Sequence, residues 1–371
     1  MKNHFIYMLV LFLGTVACAQ KQRVDDVPLT SNTNYTYEVI VSELTNPWGL
    51  EVLPDGSMLI TEKSGELIHF KNGKKTLVAN VPEVVSRGQG GLLDIRLHPD
   101  YESNGWIYFT YSSPEGEEDG AMTALMRAKL VNNTLIKKEL LYKGSPNTRK
   151  GQHFGSRVRF DKNGDLFFSI GERGERDANP QDITRDGGKI YRLYDDGSVP
   201  KDNPFVRKAD AKEAIYSYGH RNPQGIAVHP ETGKIWIHEH GPRGGDEINI
   251  PESGKNYGWP VISYGVNYSG TSFTDITKKE GMEQPLYYWV PSIAPSGMAF
   301  AYETGDKHLD GNLLIGSLKF EYLELDILKE GRVVAREKLL EDIGRVRNVI
   351  NHNGTIYVGV EGKGIVKLIK K

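Results

Sequence analysis

Apolar and polar residues alternate in short runs along most of this chain, and the runs come in pairs divided by a turn. Residues 47–70, PWGLEVLPDGSMLITEKSGELIHF, show the unit: an alternating strand, a Pro-Asp-Gly turn and a second alternating strand. Period-two alternation puts every second side chain on one face, and Asp-Gly or Asn-Gly between two such runs is hairpin chemistry. Further copies occupy residues 92–112, 155–174, 223–242, 295–320 and 345–362. Strand-like runs between them, at 189–193, 323–328 and 364–368, bring each unit to about four strands. The expected fold is all-β, a six-bladed β-propeller of four-stranded antiparallel blades, with 37–41 pairing on the last blade to close the ring.

Composition narrows the function more than the fold. With 371 residues, 38% hydrophobic, and a formal charge of −2, the chain can bury a large core and carries no charge bias that calls for nucleic acid. Residues 1–18 read as an export signal: Lys2, an apolar run at 5–13 and small residues at 14–17, too short for a membrane span. Cys18, the one cysteine of the sequence, stands where a lipoprotein signal is cleaved and lipidated. Thr15, where such signals usually carry Leu, keeps open the other reading, a discarded signal peptide. Either way the protein is expected to be exported, periplasmic or anchored to the outer membrane by lipid. Residues 19–36 are polar and aperiodic and read as a linker, leaving 37–371 for the propeller.

Hairpin turns need no further function, but the polar residues at comparable positions near the strand starts and ends do. Gln89, His153, Arg221, Asn222, Lys319, Arg345 and Arg347 come from different repeats, and a closed ring would bring them to one channel mouth. Arginine is costly to bury unless it meets an anion, so this clustering implies an acidic ligand. His153, just before a strand, could serve there as a general base; a lone histidine is more often structural. Residues 214–257 are the densest stretch. Pro223 fixes the turn that carries Arg221 and Asn222, and the Gly241-Pro242 turn offers backbone carbonyls with Asp246 and Glu247 close behind. Hard oxygen ligands suit Ca²⁺. His238 and His240 share a strand face but lack a clear third ligand for a transition metal. GERGERD, 171–177, reads as a solvated loop or as a border of the pocket.

In order along the chain, GQGGLLDIRLHPDY, HFGSRV, GHRNPQGIA, HGPRGGDEINI, KNYGWP, PSIAPSG, GSLK and GRVRNVI resemble the soluble pyrroloquinoline quinone (PQQ) dependent sugar dehydrogenases. That family includes the quinoprotein glucose dehydrogenases and the aldose sugar dehydrogenases. The resemblance spans about 44–368 and implies a six-bladed propeller that oxidises aldoses to lactones at the anomeric carbon. His153 would be the base, and Gln89, Arg221, Asn222, Lys319, Arg345 and Arg347 would hold PQQ, with Tyr268 a further contact. Arg221 would also stabilise charge arising on the reduced cofactor. The carbonyls of Gly241 and Pro242 would hold the Ca²⁺ that binds PQQ, and Glu247 with the Tyr257 carbonyl a second, structural Ca²⁺. Two departures stand out: Gln152 replaces an acidic residue before the base, leaving its strength open, and 264–289 lacks the long insertion of the glucose-specific enzymes. Both favour the aldose sugar dehydrogenase branch and a monomer, with electrons passing to an acceptor the sequence does not identify. The rivals are a propeller that has lost the reaction and binds glycans or a protein, and a Ca²⁺-dependent lactonase.

Overall fold

The computed structural model describes residues 27–371, so Cys18 and the export signal lie outside the described residues. Strands form six sheets, one per repeat. The innermost strands are Pro47–Val52, Leu92–Leu97, Val158–Phe160, Pro223–Val228, Pro295–Phe300 and Val346–His352, and they define blades I to VI. Each neighbours the next around a ring, the sixth meeting the first. Among the described residues the single α-helix is the one-turn Tyr101–Asn104.

The turn chemistry is the expected one. In blade I, Gly56 takes φ 79°, its N–H donates to Leu53 O at 2.9 Å, and Asp55 Oδ1 accepts from Ser57 N at 3.0 Å. Each sheet buries both faces, and the apolar clusters lie between successive blades: Leu59 with Ile95 and Phe109, Tyr108 with Phe168 and Tyr191, Leu325 with Val349 and Val358. A ring of such interfaces has no hydrophobic centre, which leaves the central channel free for polar groups.

Ring closure follows the expectation. Tyr35–Ser42 pairs antiparallel with Gly364–Lys370, Tyr35 opposite Lys370 and Ser42 opposite Gly364, so the last blade takes its outer strand from the front of the chain. The linker expectation needs correction. Leu29–Ser31 is a strand, parallel to Arg332–Leu339, and makes blade V five-stranded rather than four-stranded. Arg336 N donates to Pro28 O at 2.8 Å and Asn32 N to Lys338 O at 2.9 Å. Val27 is buried with Trp289 and Val333. A polar, aperiodic segment shows no strand pattern, yet its backbone can cover an open sheet edge as well as any other.

A network around Arg157 crosses the channel. This fully buried guanidinium donates to Asp94 Oδ1 at 3.0 Å (blade II), Gln224 O at 2.7 Å (blade IV) and Arg347 O at 2.8 Å (blade VI). It also stacks 4.0 Å from the Trp48 ring centroid (blade I). Nothing in the sequence pattern marks Arg157 as different from an outward-facing strand arginine.

Candidate active site

The starts of the innermost strands border two adjoining cavities of about 1040 and 860 Å³ that share Gln89, Pro242 and Tyr268 as common walls. In the larger, the described lining carries five cations, Lys63, Arg243, Lys319, Arg345 and Arg347, against one carboxylate, Glu361. The smaller holds His153, Glu172, Arg221 and Trp259, with Lys150, Glu175, Arg176 and Asp177 toward its rim.

His153 sits at the top of blade III in a left-handed conformation, φ 57°, followed by Gly155 at 63° and Ser156 at 82°. Such a backbone persists only where its surroundings over-determine it. Here they do. His153 N donates to Gln89 Oε1 at 2.8 Å, Gln89 N to Gly151 O at 2.6 Å and Gly155 N to Asn222 Oδ1 at 3.0 Å. Buried Arg173 donates to the carbonyls of Gln152 and Lys150, the latter at 2.8 Å, and lies 3.4 Å from the Phe154 ring centroid. On the imidazole, Nδ1 meets the Glu172 carboxylate, and no described residue bonds Nε2. With Nδ1–H held by Glu172, the lone pair belongs to Nε2. Burial pushes the His153 pKa below its ordinary value, Glu172 opposes that, and the Arg221 charge adds to it. The ring is therefore neutral near neutral pH, the form a base requires.

Gln152 left the strength of the expected base open. The carboxylate that orients His153 comes instead from Glu172, inside the charge-dense GERGERD stretch, so the lack of an acidic residue at 152 does not leave the ring without one.

Arg221 is 5% exposed, and its Nη1 donates to His240 O at 3.1 Å and Gly241 O at 2.8 Å. Its own N–H is held by Glu239 Oε2 at 2.6 Å. The Gly241-Pro242 turn is locked by Asp246, which accepts from Gly241 N at 2.8 Å, Ser292 Oγ at 2.7 Å and Ala294 N at 3.0 Å. Burial pushes the Asp246 pKa up to about 6. Asp246 is thus a brace for the turn rather than an open ligand.

Opposite, Glu361 holds both late arginines: Oε2 takes Arg345 Nε at 2.8 Å, and Oε1 takes Arg347 Nη2 at 2.5 Å. Although burial favours its neutral form, the two guanidiniums hold Glu361 below the usual carboxylate range. Lys319 has no carboxylate partner among the described residues and lies 4.8 Å from the Phe320 centroid. Burial, and then Arg347, lower the Lys63 pKa.

Of the residues expected at the mouth, Gln89, His153, Arg221, Tyr268, Lys319, Arg345, Arg347, Gly241 and Pro242 line one or both cavities. Asn222 does not. It is fully buried behind the wall, with Oδ1 on Gly155 N and Nδ2 unpartnered. Glu247 and Tyr257 line neither cavity either. Asn249 Nδ2 donates to Glu247 Oε2 at 3.1 Å, and the Tyr257 ring stacks on His220 at 4.7 Å. His240 Nε2 is tied to Pro295 O at 2.5 Å, and among the described residues no group of three or more His, Cys, Asp or Glu side chains is gathered as for a metal.

Sequence reasoning passed over Lys63 and Glu361, and reached Glu172 and Arg173 only as unnamed members of GERGERD, a stretch read as a solvated loop or a border of the pocket. Two of these follow a rule that the repeats do contain. Glu62, Glu172, Glu239 and Glu361 all stand at or just past the end of the second strand of their blade. Each reaches across to the residues that precede or open the innermost strand: Asn46, His153, His220 with Arg221, and Arg345 with Arg347.

The family described as glucose/sorbosone dehydrogenase matches residues 44–369. The chain is 40% identical over 330 residues to aldose sugar dehydrogenase YliI of Escherichia coli, covering 86% of this chain and 88% of that protein. It is 31% identical over 311 residues to quinoprotein glucose dehydrogenase B of Acinetobacter calcoaceticus, covering 74% and 64% respectively. Among solved structures, the apo form of the soluble aldose sugar dehydrogenase from E. coli superposes with a TM-score of 0.87 at 38% identity, covering 91% of this chain and 100% of that one. The PQQ-bound aldose sugar dehydrogenase of Streptomyces coelicolor gives a TM-score of 0.74 at 27% identity, covering 91% and 99%.

Proposed function

Because the chain belongs to the glucose/sorbosone dehydrogenase family and is a sugar oxidoreductase, we propose that it oxidises aldoses at the anomeric carbon to lactones, using PQQ and Ca²⁺. The residues present fit both groups. A large cavity with five cations against one carboxylate suits a planar cofactor bearing several carboxylates. The Gly241 and Pro242 carbonyls are hard oxygen donors of the kind Ca²⁺ takes, on a turn braced by Asp246, with Gly241 O dividing its lone pairs between the ion and Arg221 Nη1. Lys319, Arg345 and Arg347, with Lys63, would hold the carboxylates. When bound, PQQ supplies a hydride acceptor and Ca²⁺ a Lewis acid at its quinone.

The chain's own part is proton and charge management. His153 Nε2 takes the proton of the anomeric hydroxyl, Glu172 steadies the imidazolium that results, and Arg221 supplies a fixed positive charge beside the metal-binding turn. The observation that carries this reading is the free Nε2 of a burial-neutralised His153 in a cavity that shares three walls with the cation-lined one. A lactonase would need carboxylates and amides converging on one metal in the channel, where this chain has Arg157. Export, lipid attachment at Cys18, a monomeric state and a separate electron acceptor complete the proposal.

The test is reconstitution with PQQ and CaCl₂, followed by dye reduction with a panel of aldoses. His153→Ala is expected to lower kcat by about 10²–10⁴-fold while PQQ uptake stays intact. Turnover equal to wild type would remove His153 as the base. Cofactor uptake without dye reduction by any aldose would favour the propeller that only binds.

A further inference from the structure

The far end of the channel holds a further cavity, of about 300 Å³, bordered by the closing residues of the innermost strands of blades II to VI. This is the low end of the size range for small-molecule sites. Its wall is mixed: Val228, Met298, Phe300 and Ile350 supply apolar surface, and polar atoms, among them those of Arg96 and Arg159, supply the larger share.

These guanidiniums are incompletely satisfied. Arg159 is 6% exposed; its Nη1 donates to Asp94 Oδ2 at 2.8 Å and Val158 O at 2.6 Å, and no described residue accepts from its Nε or Nη2. Arg96 pairs with Glu51, yet its Nε is buried without a partner. Asp94 is already divided, its Oδ1 on Arg157 at 3.0 Å and its Oδ2 also accepting from Val158 N at 3.0 Å. Three guanidiniums, Arg157 and Arg159 buried and Arg96 partly exposed, thus share two carboxylates, Glu51 and Asp94. Nearby His352 is disfavoured as a cation by burial and by Arg96, so it does not add to the imbalance at neutral pH. Burial, and then the Arg96 charge, bring the Arg159 pKa down to about 9, which marks how poorly its charge is compensated. Buried donors and charges of this kind are rarely left unmatched.

We propose that this cavity binds a small monocarboxylate with an apolar body, its carboxylate on Arg159 and Arg96 and its body against Val228, Met298 and Phe300. One negative charge balances the excess of one cation, and the apolar side chains beside the arginines offer an organic acid contacts for its body that a bare oxyanion would not use. The proposal does not depend on the sugar reaction, because Arg157 lies between the two ends of the channel.

Calorimetric titration of the full chain with benzoate, benzyl alcohol and inorganic phosphate tests it. Saturable 1:1 benzoate binding is expected, with the neutral alcohol and phosphate about tenfold weaker or more. Arg159→Met removes the charge, and Val228→Phe fills the apolar wall while leaving Arg159 in place. Each is expected to weaken benzoate binding by about tenfold or more, with dye reduction by sugar unchanged in Val228→Phe. Should Arg159→Met not fold, Val228→Phe and the alcohol carry the test alone. No saturable benzoate heat would overturn the proposal. So would a preference for phosphate, or binding that survives Val228→Phe, which would put benzoate among the cations at the other mouth.

Discussion

At the scale of single residues, the proposed base depends on a partner that charge density hides. Within GERGERD the alternating charges look like a solvated loop, yet Glu172 is 2% exposed, with Oε1 against His153 and Oε2 unpartnered. Its effect on rate has a definite sign. Glu172 raises the His153 pKa against the lowering due to burial, and the base works when neutral. Glu172→Gln should therefore shift the acid limb of kcat/KM to lower pH while the maximum falls by about 10²-fold. A pH–rate profile of the reconstituted enzyme checks this; a lower maximum with an unmoved limb would mean that Glu172 acts only as a prop. That His153, Arg221, Lys319, Arg345 and Arg347 meet at adjoining cavities could be read from the sequence because arginine, lysine and histidine at matching repeat positions need a common explanation. Asn222 was misplaced for the same reason: its position in the repeat was right, but Pro223 opens the strand immediately after it, and the amide turns to Gly155 rather than to the cavity.

At the scale of the element, the hairpin is more than a building block. In four blades the second strand delivers a glutamate to the residues ahead of the first, so the segment at the cavity mouth is pinned by its own hairpin. Blade IV shows the energetics. Glu239, 4% exposed, accepts from His220 Nδ1 at 2.8 Å, Arg221 N at 2.6 Å and Asn249 Nδ2 at 3.1 Å. Glu239→Ala strands several buried donors and is expected to cost about 3 kcal/mol, measured by urea unfolding. A loss below about 0.5 kcal/mol would show that water replaces the carboxylate. The strands and turns were legible because alternation and Asp-Gly turns are local signals. The clasp could have been found by stacking the repeats and noticing the recurrent glutamate, but no single repeat reveals what it holds.

At the scale of the whole molecule, the ring is closed by a chain segment with two roles. Tyr35–Ser42 completes blade VI, and Leu29–Ser31 covers the edge of blade V. The closing strand was visible in the sequence through its alternation; the edge strand, which contributes backbone rather than side chains, was not. A chain starting at Leu44 should lose cooperative unfolding and bind a hydrophobic dye, because removing the strand uncovers Ile365 and Val366 of the last sheet. Thermal melts followed by circular dichroism decide it: a single sharp transition near that of the longer chain would mean that closure is dispensable. The network around Arg157 has a different outcome, one of traffic. With a guanidinium laced to four blades across the middle, the propeller is a cup rather than a pipe, so in the proposed reaction sugar, lactone and electron carrier would all come and go over the same rim, one visitor after another.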